Sequence, residues 1–362
     1  MKKILVILGT RPEAIKMCPL IKELKKRESV DVRVLSTGQH KEMLDEVLKF
    51  ENIKPDYDFS LMKIGQTLSY LTVSILSQTE KILDELLPDF VLVHGDTVTA
   101  FAGALASFYK KIPICHVEAG LRTFDKYNPY PEEFNRGAIA RMATYHFAPT
   151  EANKESLLRE GIDEKNIFVV GNTVIDALKK NVMQNYSHEN LPSENFIILT
   201  AHRRENIGEG MERIFSAVKR VCETKKIKAV YPIHKNEAIL PIAEKVFKNS
   251  DSVKIIPPLE VFDFHNFLAK CKLIITDSGG VQEEAGYLGK PVLITRKTTE
   301  RKELFTNSSA KLVGNDENEI FEEAKRLIEN DEYYKLSAVP TRAFGDGNTA
   351  SRIADIFLEC KL

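Results

Sequence analysis

The feature that most narrows the fold of this chain is a recurring series of short, largely apolar runs, the first of them uninterrupted, each followed by small and polar residues. Ile4–Leu8, Val30–Leu35, Phe90–Val93, Pro113–Val117 and His146–Ala148 form one series. A polar stretch, Asn185–Asn195, interrupts the pattern. Phe196–Thr200, Ala229–Pro232, Val253–Ile256, Leu273–Thr276 and Pro291–Ile294 then form a second series. Helical stretches such as Leu68–Leu87 and Thr97–Tyr109 separate the runs. Strands apolar at every position are buried on both faces, and helices between them serve as parallel crossovers. The pattern predicts an α/β chain with two Rossmann-like, doubly wound sheets. The length of 362 residues suits two domains of roughly 150–200 residues each. The terminal segment Thr349–Leu362 has helical periodicity, which leaves open where it docks.

Charge and cysteine usage restrict the partners. Lys plus Arg total 51 and Asp plus Glu total 52, a net charge of −1. No strong field exists to recruit nucleic acid or an anionic membrane, so an anion must be bound by a few placed groups. Cys18, Cys115, Cys222, Cys271 and Cys360 are scattered and never form a CxxC pair. Reduced thiols and a cytoplasmic location are expected, without a cysteine-based metal site. The apolar run near Met1 is shorter than a signal peptide requires, and no stretch approaches the roughly 20 apolar residues of a membrane span.

In parallel open sheets, ligands bind beyond the carboxyl ends of the strands, so the residues just after each run carry the chemistry. Asp277-Ser278-Gly279-Gly280 ends an apolar run and opens a helix. Helix-start N–H groups with two glycines suit a phosphate, and Ser278 adds a donor. The plain alternative is an ordinary capped turn. Glu284, about two helical turns on, is placed to accept ribose hydroxyls, whereas Glu283 is expected to point outward. Gly9-Thr10-Arg11-Pro12-Glu13 is the corresponding turn of the first domain. It is not GxGxxG, and no GxxxxGK[ST] occurs, so a nicotinamide or P-loop nucleotide is unsupported. Arg11 suits a bidentate grip on a diphosphate. Lys16, one turn on, adds charge or is simply solvated. Asp96 and Glu118 end apolar strands, where desolvation raises a carboxylate toward neutrality. Glu132 and Glu133 follow Pro129-Tyr130-Pro131 and open a helix, where acids are also common as caps. His202, with Arg203 and Arg204, suits a leaving phosphate. The pattern contains no HxxxH or HExxH pair, so no metal is expected.

These motifs, with His94-Gly95-Asp96-Thr97, His116-Val117-Glu118-Ala119-Gly120-Leu121-Arg122 and Thr200-Ala201-His202-Arg203-Arg204-Glu205-Asn206, resemble those of the non-hydrolysing UDP-N-acetylglucosamine 2-epimerases over nearly the whole chain. The resemblance implies a GT-B architecture: two Rossmann-like domains facing across a deep cleft, with a C-terminal helix crossing back. On that basis the domains are placed at 1–170 plus 346–362 and at 171–345. It implies a homodimer without metal or NAD, acting on a UDP-sugar alone. It also implies C2 inversion of UDP-GlcNAc to UDP-ManNAc, by anti elimination of UDP to 2-acetamidoglucal and re-addition. Asp96, Glu118 and Glu132 would be the acid–base set and His202 the diphosphate-side group. Arg11, Ser278, Gly279 and Gly280 would hold the diphosphate, and Glu284 the ribose.

Bacterial relatives often bind a second UDP-GlcNAc as an activator, and Gln39, Glu133, Arg204 and His234 match that pattern. Glu42 and Gly65 stand where the family carries Gln and Arg, which disfavours an anionic effector. The alternatives are a GT-B glycosyltransferase, which would need an acceptor, a hydrolysing epimerase, which would release free ManNAc, and a non-catalytic nucleotide-sugar sensor.

Overall fold

The computed structural model describes residues 1–63, 65–233, 236–305 and 309–359, with the side chains of Arg204 and Glu359 excepted. The chain divides into two compact units, Met1–Ala177 with Phe344–Leu362, and Leu178–Ala343.

The first unit is built on seven strands: β1 (Lys2–Leu8), β2 (Val30–Ser36), β3 (Tyr57–Asp58), β4 (Phe90–His94), β5 (Ile114–Val117), β6 (Tyr145–Ala148) and β7 (Ile167–Val169). Their order is β3-β2-β1-β4-β5-β6-β7, and the pairings are parallel, with Val6 beside Val34 and Leu92, and His116 beside His146. Ile4–Leu8 are wholly buried, as a strand covered on both faces requires. The helices are α1 (Arg11–Lys25), α2 (Lys41–Phe50), α3 (Leu68–Leu86), α4 (Val98–Tyr109), α5 (Glu132–Met142), α6 (Glu151–Arg159) and α7 (Thr173–Asn181), which contains the unit boundary. Thr67 and Thr97 cap α3 and α4 by accepting from Tyr70 N and Ala100 N.

In the second unit the strands are β8 (Phe196–Thr200), β9 (Lys228–Pro232), β10 (Val253–Ile256), β11 (Leu273–Thr276), β12 (Val292–Ile294) and β13 (Ala310–Leu312). Their order, β10-β9-β8-β11-β12-β13, repeats the doubly wound pattern. Helices α8 (Glu209–Lys225), α9 (Leu240–Phe247), α10 (Val261–Lys270), α11 (Gly279–Leu288), α12 (Glu317–Glu329) and α13 (Asp331–Ser337) complete it. Phe215 packs its ring 5.2 Å from Tyr231 and 5.1 Å from Phe247, while the buried Tyr231 hydroxyl donates to Ala201 O at 2.8 Å. A buried aromatic with a polar tip needs such a partner.

Helix α14 (Thr349–Glu359) belongs to the first unit. Asp176 supplies its cap, accepting from Thr349 N and Ala350 N at 3.2 and 2.8 Å. Phe357 packs on Phe90 and Phe147, and Asp355 pairs with Arg27 at 2.8 Å.

Both sheets reverse direction at a definite place, between β1 and β4 in one and between β8 and β11 in the other. Ligands of doubly wound sheets bind at such switch points. The four turns after these strands carry Arg11, Asp96, His202 and Ser278–Gly280.

Candidate active site

In the first unit the turn after β1 is held closed by its own residues. A Cβ on Gly9 would lie 2.2 Å from Thr99 Oγ1 and 2.3 Å from Thr37 Oγ1, so only glycine fits. Arg11 opens α1 and is half-buried. Glu13, two residues on, is buried. Its Oε2 accepts from Gly9 N, Thr10 N and Thr10 Oγ1 at 3.0, 2.8 and 2.8 Å, and its Oε1 from Thr97 Oγ1 at 2.7 Å. One carboxylate thus joins the turns after β1 and β4. Burial outweighs these four donors and pushes its pKa up to about 7.

Asp96 and Glu118 follow β4 and β5, and each lies against a buried cation. Arg136 NH2 is 2.5 Å from Asp96 Oδ2, and its NH1 is 3.4 Å from Glu133 Oε2. Asn135 Nδ2 donates to Asp96 O at 2.9 Å. Glu118 has the left-handed φ of +62°, a conformation that costs a non-glycine residue about 1–2 kcal/mol and recurs at functional sites. Lys16 is its ion partner, Asn172 Nδ2 donates to it at 2.6 Å, and His94 Nε2 stands 3.8 Å away. Lys16 is therefore not the solvated group the sequence allowed: it is 8% exposed and lies on the carboxylate. Burial pushes His94 down to about 4 and His116 to about 3. Neutral His116 uses Nε2–H to donate to Gly95 O at 2.7 Å, beside Asp96.

Glu132 opens α5 and is half-buried. Its neighbour Glu133 is buried and accepts from Thr123 N and Phe124 N at 3.0 and 2.9 Å, which fixes the loop beyond Glu118. Gln39 Oε1 is engaged with Thr99 N and Oγ1 at 3.2 and 2.8 Å. Two members of the expected effector set, Gln39 and Glu133, thus make internal bonds. Arg204 begins a 3₁₀ turn, and its side chain, like the whole of His234, lies outside the described residues.

In the second unit, Ser278 stands at the N-cap position of α11 without a side-chain capping bond, and its N–H donates to Thr276 Oγ1 at 2.9 Å. A Cβ on Gly279 would lie 2.7 Å from Arg301 NH1, whereas one on Gly280 would meet nothing within 4 Å. The turn is therefore tight on one side and open on the other, the form of an anion cradle. Glu284 is buried; Oε1 lies 3.0 Å from His265 Nε2, and Oε2 has no hydrogen-bond partner among the described residues. A buried acceptor of this kind suits a ligand hydroxyl. Glu283 corrects the sequence-based expectation: it is 1% exposed, turned inward, and accepts from Arg301 Nε at 2.9 Å. The inward pull is electrostatic, since Arg301 is itself buried and needs a counter-charge. Asp277 is wholly buried and accepts from His202 N and Arg203 N at 2.9 and 2.8 Å.

Sequence reasoning missed Arg136, Asn172, Arg296, Glu300 and Arg301. Arg296 and Arg301 share Glu300 Oε2 at 3.1 and 3.2 Å in the segment after β12. Their position directly after the run Pro291–Ile294 was the available signal, but Arg296-Lys297-Thr298-Thr299-Glu300-Arg301 looks like solvated charge. Among the described residues, no cluster of His, Cys, Asp and Glu is suited to hold a metal, and no helix is long and apolar enough to cross a membrane.

Two Rossmann-like domains with polar chemistry at both switch points define a GT-B-like α/β protein, with caged carboxylates in one unit and an anion-type turn in the other. The UDP-N-acetylglucosamine 2-epimerase family model matches residues 22–358. The UDP-N-acetylglucosamine 2-epimerase of Bacillus subtilis is 49% identical over 98% of this chain and 95% of its own. That of Escherichia coli K12 is 44% identical over 98% and 97%. Staphylococcus aureus MnaA in its UDP co-structure superposes with a TM-score of 0.94 at 46% identity, covering 99% of this chain and 96% of that one. The Neisseria meningitidis enzyme bound to UDP-GlcNAc gives 0.92 at 42%, covering 99% and 100%. The chain belongs to the UDP-N-acetylglucosamine 2-epimerase family of isomerases.

Proposed function

We propose that this chain interconverts UDP-GlcNAc and UDP-ManNAc without hydrolysis. A base removes the C2 proton, the C2–H pair becomes the C1–C2 double bond, and UDP departs with the C1–O pair. The reverse addition returns UDP to C1 and a proton to the other face of C2. The C2 proton is only weakly acidic, so departing charge must be stabilised as the C1–O bond breaks. Asp96, Glu118 and Glu132 form the acid–base set, acting on the sugar. His202 meets the leaving diphosphate. Arg11, Lys16, Ser278, Gly279 and Gly280 hold the diphosphate, and Glu284 takes the ribose through its unpartnered Oε2.

The observation that carries this reading is the setting of Glu118: a left-handed backbone holds a buried carboxylate against Lys16 and Asn172. The strained backbone alone marks no function; its combination with a buried carboxylate at a strand end, beside a cation and an amide, is what suits a group aimed at a ligand. Lys16 has a place in both roles, since a lysine beside the reacting carboxylate also neutralises phosphate charge.

Proton NMR of UDP-GlcNAc with the protein in D₂O tests the proposal. Deuterium at C2 together with UDP-ManNAc is expected. UDP and free ManNAc would indicate a hydrolysing enzyme, and no change without an added acceptor would indicate a transferase. The same reading carries a cytoplasmic homodimer. Exposed Phe108 and Tyr109 on α4 and Phe134 on α5 offer apolar surface for association, and sedimentation of the pure protein measures it.

A further inference from the structure

Two turns of the second unit, after β8 and after β11, share a single carboxylate. Asp277 Oδ2 accepts from His202 N at 2.9 Å, Arg203 N at 2.8 Å and Asn206 Nδ2 at 3.3 Å. Those bonds engage Oδ2 and fix the backbone from which the His202 side chain springs. Oδ1 accepts a second, longer bond from His202 N at 3.2 Å and also faces the imidazole, with Nδ1 3.5 Å away. That distance is longer than a closed hydrogen bond, as is common for catalytic contacts before a ligand arrives.

We propose that Asp277 is the positioning residue of His202: it holds Nδ1–H toward its own carboxylate and leaves Nε2 as the atom that exchanges a proton with a departing diphosphate. This rests on the role given to His202 under Proposed function. The second ring nitrogen of a histidine is set by the bond the first one makes, and a wholly buried carboxylate beside Nδ1 also stabilises the imidazolium. As the C1–O bond breaks, the proton on Nε2 passes to the phosphate oxygen that takes the bonding pair. The imidazole is left neutral with Nδ1–H on Asp277, and re-addition reverses both transfers. Burial is the largest influence on the imidazole and opposes the charged form, Asp277 supports it, and Arg203 and Glu205 add smaller effects of opposite sign. Burial pushes the imidazole below its ordinary value, so Asp277 and the arriving phosphates favour protonation where it is needed.

Long-range ¹⁵N NMR of the full chain at pH 8, with His202→Gln to assign the signal, reads the tautomer. The expected native result is Nδ1–H. In Asp277→Asn the amide oxygen can still accept from His202 N and Arg203 N, while its NH₂ faces Nδ1 and forces the Nε2–H form. Turnover should then fall on the order of 10²-fold, with KM within about threefold, because the loss belongs to the reacting state. In a His202→Gln background, Asp277→Asn should cost less than about twofold more, since residues acting as a unit are not additive. A native Nε2–H tautomer overturns the proposal, as does a full additional loss in the double variant. If Asp277→Asn does not fold, the native tautomer alone decides. A fully active His202→Gln would remove His202 from the proposed function, while the tautomer would still decide the positioning.

Discussion

Glu13→Gln should stabilise the protein far more at pH 8 than at pH 5. The unfolded glutamate titrates at its ordinary 4.5, and burial raises the folded group to about 7. Below 4.5 both states hold the proton, and the group does not bias folding. Between the two values only the folded state holds it, so stability falls as pH rises; above 7 the loss is complete. Each pH unit in that window is worth about 1.4 kcal/mol, which makes the whole effect about 3 kcal/mol. A glutamine removes it with little rearrangement. Its carbonyl oxygen can take the place of Oε2 and keep the bonds from Gly9 N, Thr10 N and Thr10 Oγ1. Its NH₂ would face Thr97 Oγ1, now 2.7 Å from the carboxylate, where the hydroxyl can rotate from donor to acceptor. For a domain of 150–250 residues, 1 kcal/mol moves Tm by about 2–4 °C, so a gap of roughly 5–10 °C should open between pH 5 and pH 8. Thermal unfolding by circular dichroism over that range measures it. A pH-independent gap, or a variant less stable than the parent at pH 8, would show that the four donors hold the carboxylate ionised and that desolvation has lost.

The remaining predictions concern the site and its supports. Asp96→Asn and Glu118→Gln should each lower epimerase turnover by on the order of 10²-fold or more, measured by the D₂O exchange assay; near-normal rates in both would dismiss them as catalysts. Gly279→Ala drives a methyl to 2.7 Å from Arg301 NH1, so calorimetry should find UDP binding weakened about tenfold, equivalent to about 1.4 kcal/mol. Phe124 is exposed and holds a left-handed φ of +63°. Phe124→Gly should relieve about 1–2 kcal/mol of strain, offset by the entropy of an added glycine, for a net gain of about 0.5–1 kcal/mol in thermal unfolding. With Glu42 and Gly65 at the effector positions, UDP-ManNAc should be consumed hyperbolically without added UDP-GlcNAc; an absolute requirement for UDP-GlcNAc would reverse that expectation.

The central strands were legible because burial on both faces writes itself as an unbroken apolar run, as in Ile4–Leu8 and Leu273–Thr276. The short strands β3, β7 and β13 were not. They are two or three residues long and partly exposed, so no run distinguishes them from loops. The switch-point turns were readable for a related reason: glycine and acids directly after apolar strands have few other uses. Pairing was what the sequence hid. Helical geometry turns Glu283 and Glu284 about 100° apart, but it does not reveal that a buried Arg301 waits 18 positions downstream to draw Glu283 inward. Lys16 reads as one more surface lysine until the fold brings it to Glu118, 102 positions away.

The seating of α14 reaches into how the protein is made. Phe357 closes the hydrophobic layer over Phe90 and Phe147, and Lys2 Nζ donates to Phe357 O at 3.0 Å. A ribosome therefore delivers the last pieces of the first unit only after the whole of Leu178–Ala343 has been synthesised. The inserted, contiguous unit can complete itself while the earlier one still waits for its closing helix, an inversion of the usual order in which the leading domain finishes first.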